Sequence, residues 1–219
     1  MLYFASKLIK AEIAKGLKER LLASSDWIDG RETALGKAKE RKRNFQLKAG
    51  NSYNTFAREI LSILEKDQGF QNYALPARVF SLLFSRTGPG MFYGPHTDMP
   101  HHKQGRRDLS FTLFLNDPTE YEGGELILNI PPMRQKIKLN AGEIIIYPTK
   151  YLHEVSKVID GERFVCVGWI QSQISSDHDR DILLTLRTAL TKLKKMPNHD
   201  SAFETLNLAY CNIYKRFLD

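Results

Sequence analysis

The chain has 219 residues, 42% of them hydrophobic and 26% charged, with a formal net charge of +7. That length suits one domain with appendages, and the composition is that of a globular protein in water. It excludes a membrane-spanning helix, since no apolar run approaches the ~20 residues required, and lysine or glutamate interrupts the opening MLYFASKLIKAEIAKGLKERL, against a secretory signal. The two cysteines, Cys166 and Cys211, have no metal-like spacing. A cytoplasmic, reducing setting without a disulfide framework is therefore expected.

In chain order, residues 5–23 carry Leu8, Ile9, Ile13, Leu17, Leu21 and Leu22 at helical spacing and predict an amphipathic helix. The basic segment GKAKERKRNFQLK (36–48) reads as a solvated face or loop, with an acidic partner such as nucleic acid as the alternative. A second helix is predicted over 54–66 from Phe56, Ile60, Leu61 and Ile63 or Leu64. From about residue 76 the chain turns to short runs rich in β-branched and aromatic residues: ARVFSLLFS, DLSFTLFLN, GELILNI, RQKIKLN, GEIIIYP, LHEVSKVI and RFVCVGWIQ. So many short strands without intervening helices predict an antiparallel sandwich or barrel. Helical spacing returns at about 177–195 and 200–217. The expected organisation is an N-terminal helical buttress (1–75), a β core (76–175) and a C-terminal helical extension (176–219).

The segment YGPHTDMPHH (93–102) concentrates potential metal ligands. On an extended strand residues i and i+2 share a side, so His96 and Asp98 can face one ion while Thr97 points away. A third ligand from elsewhere would complete two imidazoles and a carboxylate on one face of the ion. Such a set leaves about three positions open and suits non-haem Fe(II). His178 and His199 fall in the polar helical zone and read as surface residues. His153 opens LHEVSKVI within the β zone and is the candidate third ligand. His101 and His102 are expected on a loop over the pocket mouth, and Gly123–Gly124 in a turn.

Arg163 opens an otherwise apolar strand. If buried, its guanidinium needs an anion, and its planar fork suits a carboxylate. If at an exposed strand end, it pairs with Glu162 or Asp160. The buried reading requires that the turn before Arg163 carry the chain from one sheet to another; a tight hairpin would turn Arg163 away from His153.

The order GPGMFYGPHTD, RRDLSFTLFLNDPTEYEGGELIL, IKLNAGEIIIYPTKYLHEVSKVIDGERF and WIQS, over about 88–172, resembles the Fe(II)- and 2-oxoglutarate-dependent dioxygenases. Within them it is most similar to the bacterial PKHD-type, prolyl/lysyl-hydroxylase-like group. The resemblance implies a double-stranded β-helix (jelly roll) core in a mainly β protein with flanking helices. It implies Fe(II) held by His96, Asp98 and His153, and 2-oxoglutarate anchored through its distal carboxylate by Arg163. It also implies O2 as co-substrate, L-ascorbate as a support of turnover, and hydroxylation of a prolyl-like peptidyl residue or small molecule. The iron would bind the keto and one carboxylate oxygen of 2-oxoglutarate, whose oxidative decarboxylation to succinate and CO2 is coupled to substrate hydroxylation. Tyr93 and Tyr147 flank the ligands and either bond the co-substrate or pack ordinarily; Arg107 and Asp108 match a family-preferred pair and read as structural.

Two departures stand out. Thr87 occupies the family's tyrosine position before the glycine pair, and Asp160 replaces its arginine before the last glycine. The alternatives are an AlkB-like nucleic-acid dealkylating dioxygenase and a non-catalytic, metal-binding cupin-like roll. The repair group carries a further arginine six residues after the co-substrate arginine, where this chain has Trp169; that weighs against nucleic acid. Neither the substrate nor the oligomeric state follows from the residues.

Overall fold

The computed structural model describes residues 2–33, 36–198 and 200–218. Strand β1 (Phe4–Lys7) precedes helix α1 (Ala11–Leu22), β2 (Trp27–Asp29), a short α2 (Lys37–Glu40), β3 (Lys42–Arg43) and β4 (Phe45–Leu47). Helices α3 (Asn51–Lys66) and α4 (Gln68–Ala74) lead into the β region. Its strands are β5 (Pro76–Thr87), β6 (Phe92–His96), β7 (His101–His102), β8 (Gly105–Arg106), β9 (Leu109–Phe114) and β10 (Tyr121–Gly123). β11 (Leu126–Ile130), β12 (Met133–Ile137), β13 (Glu143–Pro148), β14 (Leu152–Val155), β15 (Val158–Gly161) and β16 (Arg163–Ser172) follow. Helices α5 (Asp177–Leu193) and α6 (Asp200–Phe217) come last. None of the described helices is long and apolar enough to cross a membrane.

A seven-stranded sheet in the order β1-β13-β9-β16-β5-β4-β2 and a five-stranded sheet in the order β12-β11-β14-β6-β3 share one cavity between their inner faces. This is the expected mainly β jelly roll. β16 explains why its sequence is apolar throughout. Its odd-numbered residues, Arg163, Val165, Val167 and Trp169, line the cavity. Phe164, Cys166 and Ile170 turn to the other side and join a cluster built from the helices. A strand covered on both faces loses the polar alternation of an exposed one. The helices supply Ala14, Leu17 and Leu21 from α1 and Phe56, Ile60 and Leu64 from α3, stripes at three- and four-residue spacing. Gly168 lets this layer close: a Cβ there would stand 2.6 Å from the Phe111 ring. A second cluster, including Phe114, Leu126, Leu128, Ile145 and Val165, packs between the two sheets.

Three local expectations differ. Residues 4–7 begin as a strand on the edge of the large sheet, pairing Phe4 with Ile146, and the helix starts only at Ala11. FASK has an alternating burial pattern there, which suits an edge strand better than a helix. The basic segment 36–48 is not one solvated loop. It yields β3, which extends the small sheet beside β6, and β4, which extends the large sheet beside β5. LHEVSKVI divides into β14, paired with β11 and β6, and β15, paired with β10. His178 is exposed as expected, and His199 lies outside the described residues.

The turn before Arg163 carries the chain between sheets. β15 pairs with β10, whereas β16 pairs with β5 and β9. Gly123 and Gly124, expected in a turn, instead sit at a bulge where the extended chain passes from β10, beside β15, to β11, beside β14, both at positive φ (72° and 67°). A Cβ on Gly123 would meet the Lys157 carbonyl oxygen at 2.1 Å, so glycine is required for β10 to approach β15.

Phe70 joins α4 to the large sheet: it is 0% exposed and meets the Phe111 ring edge-on at 6.5 Å between centroids. Phe70→Ala is expected to cost about 3–5 kcal/mol of stability, read as a lower urea midpoint with an unchanged slope.

Candidate active site

His153 of β14 stands directly opposite His96 of β6. Residues paired in this way across antiparallel strands project to the same face, and the two imidazole centroids are 4.3 Å apart. Asp98 lies just beyond the end of β6, and its Oδ2 is 3.9 Å from His153 Nε2. One ligand atom from each of His96, Asp98 and His153 falls within 4.8 Å of the others. Both histidines are set the same way: Nδ1 of His96 is 2.9 Å from the Gly94 carbonyl, and Nδ1 of His153 is 2.9 Å from the Tyr151 carbonyl. A proton held on Nδ1 leaves Nε2 free to donate its lone pair. Burial, with the neighbouring His153, pulls the His96 pKa down to about 4, so its ring is neutral at pH 7. Asp98 Oδ2 accepts hydrogen bonds from Ser110 Oγ and Trp169 Nε1, each at 2.8 Å. Two imidazoles and an oriented carboxylate suit Fe(II).

A bulge completes this face. His153 and Val155 are two residues apart on β14, but their partners His96 and Tyr93 are three apart on β6. The extra residue, at Gly94–Pro95, brings Tyr93 to the side of His96, where the rings stack at 3.7 Å and 17°.

Arg163 is buried at 2% exposure, opposite Thr87 of β5. Asn116 fixes its backbone from both sides, donating to the Glu162 carbonyl and accepting from the Phe164 N–H, each at 2.9 Å. The exposed-end alternative fails because Glu162 pairs with Arg86 at 2.7 Å. Among the described residues no carboxylate pairs with Arg163, and its Nε and the Tyr121 hydroxyl are buried without hydrogen-bond partners. The triad, Arg163, Tyr93 and Tyr147 all line one cavity of about 550 Å³.

The comparisons with known proteins agree with this geometry. Residues 82–171 match the model of the 2OG-Fe(II) oxygenase superfamily. A PKHD-type hydroxylase of Prochlorococcus marinus strain NATL2A is 39% identical over 221 residues, covering 100% of both chains. Another, from strain MIT 9313, is 43% identical over 206 residues, covering 91% of each.

The chain belongs to the PKHD-type hydroxylases.

Among solved structures, a Pseudomonas putida prolyl-4-hydroxylase superposes with a TM-score of 0.56 at 19% identity, covering 78% of this chain and 92% of that one. A prolyl hydroxylase from Trichoplax adhaerens, in complex with a hypoxia inducible factor peptide fragment, gives 0.57 at 15% identity, covering 83% and 86%. These likenesses show the shared jelly-roll fold. As a PKHD-type hydroxylase the protein is a dioxygenase that uses Fe(II), 2-oxoglutarate and O2.

Sequence reasoning missed several residues of this PKHD-type site. Ser110 and Trp169 hold Asp98, and they face each other across β9 and β16. Arg107 and Asp108, which match a family-preferred pair and read as structural, go to different places. Asp108 pairs with Arg106 at 3.3 Å and accepts the Ser172 N–H at 2.9 Å. Arg107 turns to the cavity instead, its guanidinium 4.2 Å from the centre of the Trp169 ring. Lys42, in the basic segment, is also buried on this cavity. A run of hydrophobic alternation around SFTLF hints that Ser110 points inward, but nothing local marks Arg107 or Lys42. Thr87 and His102 line the cavity, while His101 is exposed.

Trp169→Phe keeps an aromatic, though smaller, side chain and removes the N–H that orients Asp98. Mn(II) affinity, measured by titration, is expected to fall about tenfold, the low end of the range for such supporting bonds because Ser110 remains.

Proposed function

We propose that His96, Asp98 and His153 hold the Fe(II), that Arg163 holds the distal carboxylate of 2-oxoglutarate, and that the hydroxylated group is a prolyl-like residue of a peptide or a small molecule. One observation carries this reading: a buried guanidinium without a carboxylate partner lines the same cavity as a two-histidine, one-carboxylate cluster. An unpaired buried cation is costly, and a bound dicarboxylate relieves that cost. When bound, the iron would let O2 act as the oxidant: two electrons would come from 2-oxoglutarate, leaving CO2 and a succinate that carries one oxygen atom, and two from a substrate C–H bond, which would take up the other oxygen as a hydroxyl.

The chain's own residues bind, orient and exclude water. Arg163 presents a planar fork for two parallel bonds to one carboxylate. Tyr147, edge-on to His153 at 5.5 Å, and Tyr93 complete the co-substrate's surroundings. Burial raises both phenol pKa values, that of Tyr93 to about 12, so each hydroxyl is a neutral donor at pH 7. Val165, Val167 and Leu126 make the wall apolar, which strengthens each polar contact inside. The prolyl-like substrate is supported by the names of the relatives and of the solved prolyl hydroxylases. L-Ascorbate as a support of turnover rests on the family alone.

Charge-assisted bonds contribute roughly 1.5–3 kcal/mol each. Arg163→Ala should therefore weaken 2-oxoglutarate binding about tenfold to a hundredfold, with Arg163→Lys between it and the parent because lysine lacks the fork. Titration of 2-oxoglutarate into Mn(II)-loaded protein without oxygen measures this, and unchanged affinity overturns the clamp. Asp98→Ala should abolish succinate formation and weaken Mn(II) binding while the circular dichroism spectrum stays that of the parent.

A further inference from the structure

The cavity holds a second buried cation that the reading above does not use. Lys42 is 4% exposed. It pairs with Tyr93 across β3 and β6, so it projects to the inward face, one strand beyond the histidines. Its Nζ donates to Thr33 Oγ at 2.8 Å and lies 5.2 Å from the centre of the Tyr93 ring. An ammonium carries three donors, and among the described residues no carboxylate stands within ion-pair distance of this one; Asp98 and Asp29 act on it only through space. Burial lowers its pKa to about 8, which leaves it mostly protonated at pH 7.

The wall around Lys42 is itself polar. Thr33 is bonded to Gln46, which is 2% exposed, and Asn44 donates to Ser85 Oγ at 2.6 Å. All of these side chains line the cavity. Arg163 belongs to the middle strand of the facing sheet, whereas Lys42 sits on the edge strand of its own. In the proposed site both carboxylates of 2-oxoglutarate are matched, one by Arg163 and one by the metal. The charge on Lys42 is left for another anion.

We propose that Lys42 is a specificity residue that binds a carboxylate of the hydroxylated substrate, so that this enzyme acts on an organic acid in preference to its neutral counterpart. This deepens the hydroxylase reading and rests on it. The carboxylate can be an α-carboxylate or an acidic side chain; either gives a compact anion beside an apolar body. Lys42, Thr33 and Gln46 would meet the anion, while Tyr93 and Val155 would carry the body toward the histidines.

The test uses Zn(II)-loaded protein saturated with 2-oxoglutarate, so that Arg163 is already occupied. Cyclopentanecarboxylate and its neutral amide serve as probes, followed by ligand-observed NMR titration. The parent protein should bind the acid at least tenfold more tightly than the amide. Lys42→Met, which keeps the length of the stem, and Lys42→Gln, which keeps a polar end, should both lose that preference while 2-oxoglutarate affinity stays at the parent value. Absence of a preference in the parent, including failure of both probes to bind, overturns the proposal, as does a preference retained in either variant. A fall in 2-oxoglutarate affinity on replacing Lys42 also overturns it, by assigning the lysine to the co-substrate. Failure of the clamp itself is read separately, from 2-oxoglutarate affinity in Arg163→Ala.

Discussion

The pairing of β14 with β6 sets His153 beside His96, and the rest of the site is organised around that pair. Each ring is turned by a bond from Nδ1 to the carbonyl two residues earlier in its own chain, so the backbone itself aims the imidazoles. The carboxylate needs more support because Asp98 lies past the strand. Ser110 and Trp169, from the facing sheet, provide it. The geometry of the His96, Asp98 and His153 cluster therefore depends on how the two sheets are held together, and the apolar cluster between them supplies that hold.

The site is an apolar roll into which a few cations have been admitted. Arg163 and Lys42 come from opposite sheets, both almost fully buried and neither matched by a carboxylate of the chain. Burying unpaired charge opposes folding, so these residues make the unliganded cavity less stable than a hydrophobic core would be. The buttressing layer offsets this: helices α1, α3 and α4 cover the outer face of the large sheet with tightly packed side chains such as Phe70, Ile60 and Leu21. The packed layer lies on one face of the sheet and the cavity on the other.

The bulge in β6 shows how small irregularities shape such a site. An unbroken strand would send Tyr93 and His96 to opposite faces, since they are three residues apart. One extra residue at Gly94–Pro95 brings them together in a stack, and Lys42 then pairs with Tyr93 from the other side. The same three residues connect the two-histidine, one-carboxylate cluster with the edge of the cavity.

Much of this was legible in the residues. The strand run from residue 76, the two C-terminal helices and the HTD cluster with His153 and Arg163 all carry local signals: alternation, turn residues, and ligand types at strand spacing. The resemblance over 88–172 added the identity of the metal and co-substrate. What the sequence left open depended on pairing partners. FASK looked like the start of a helix because its strand character exists only against β13. Lys42 looked like one solvated cation among many because its burial arises only when β3 docks on β6. Arg107 and Asp108 read alike in the sequence, as a family-preferred pair with a structural part, but side chains of neighbours on an extended chain point apart. By itself the sequence determined which segments extend, which coil and which residues can ligate. Only the tertiary structure decided which of them meet, because register, bulges and sheet order are fixed by contacts between residues far apart in the chain.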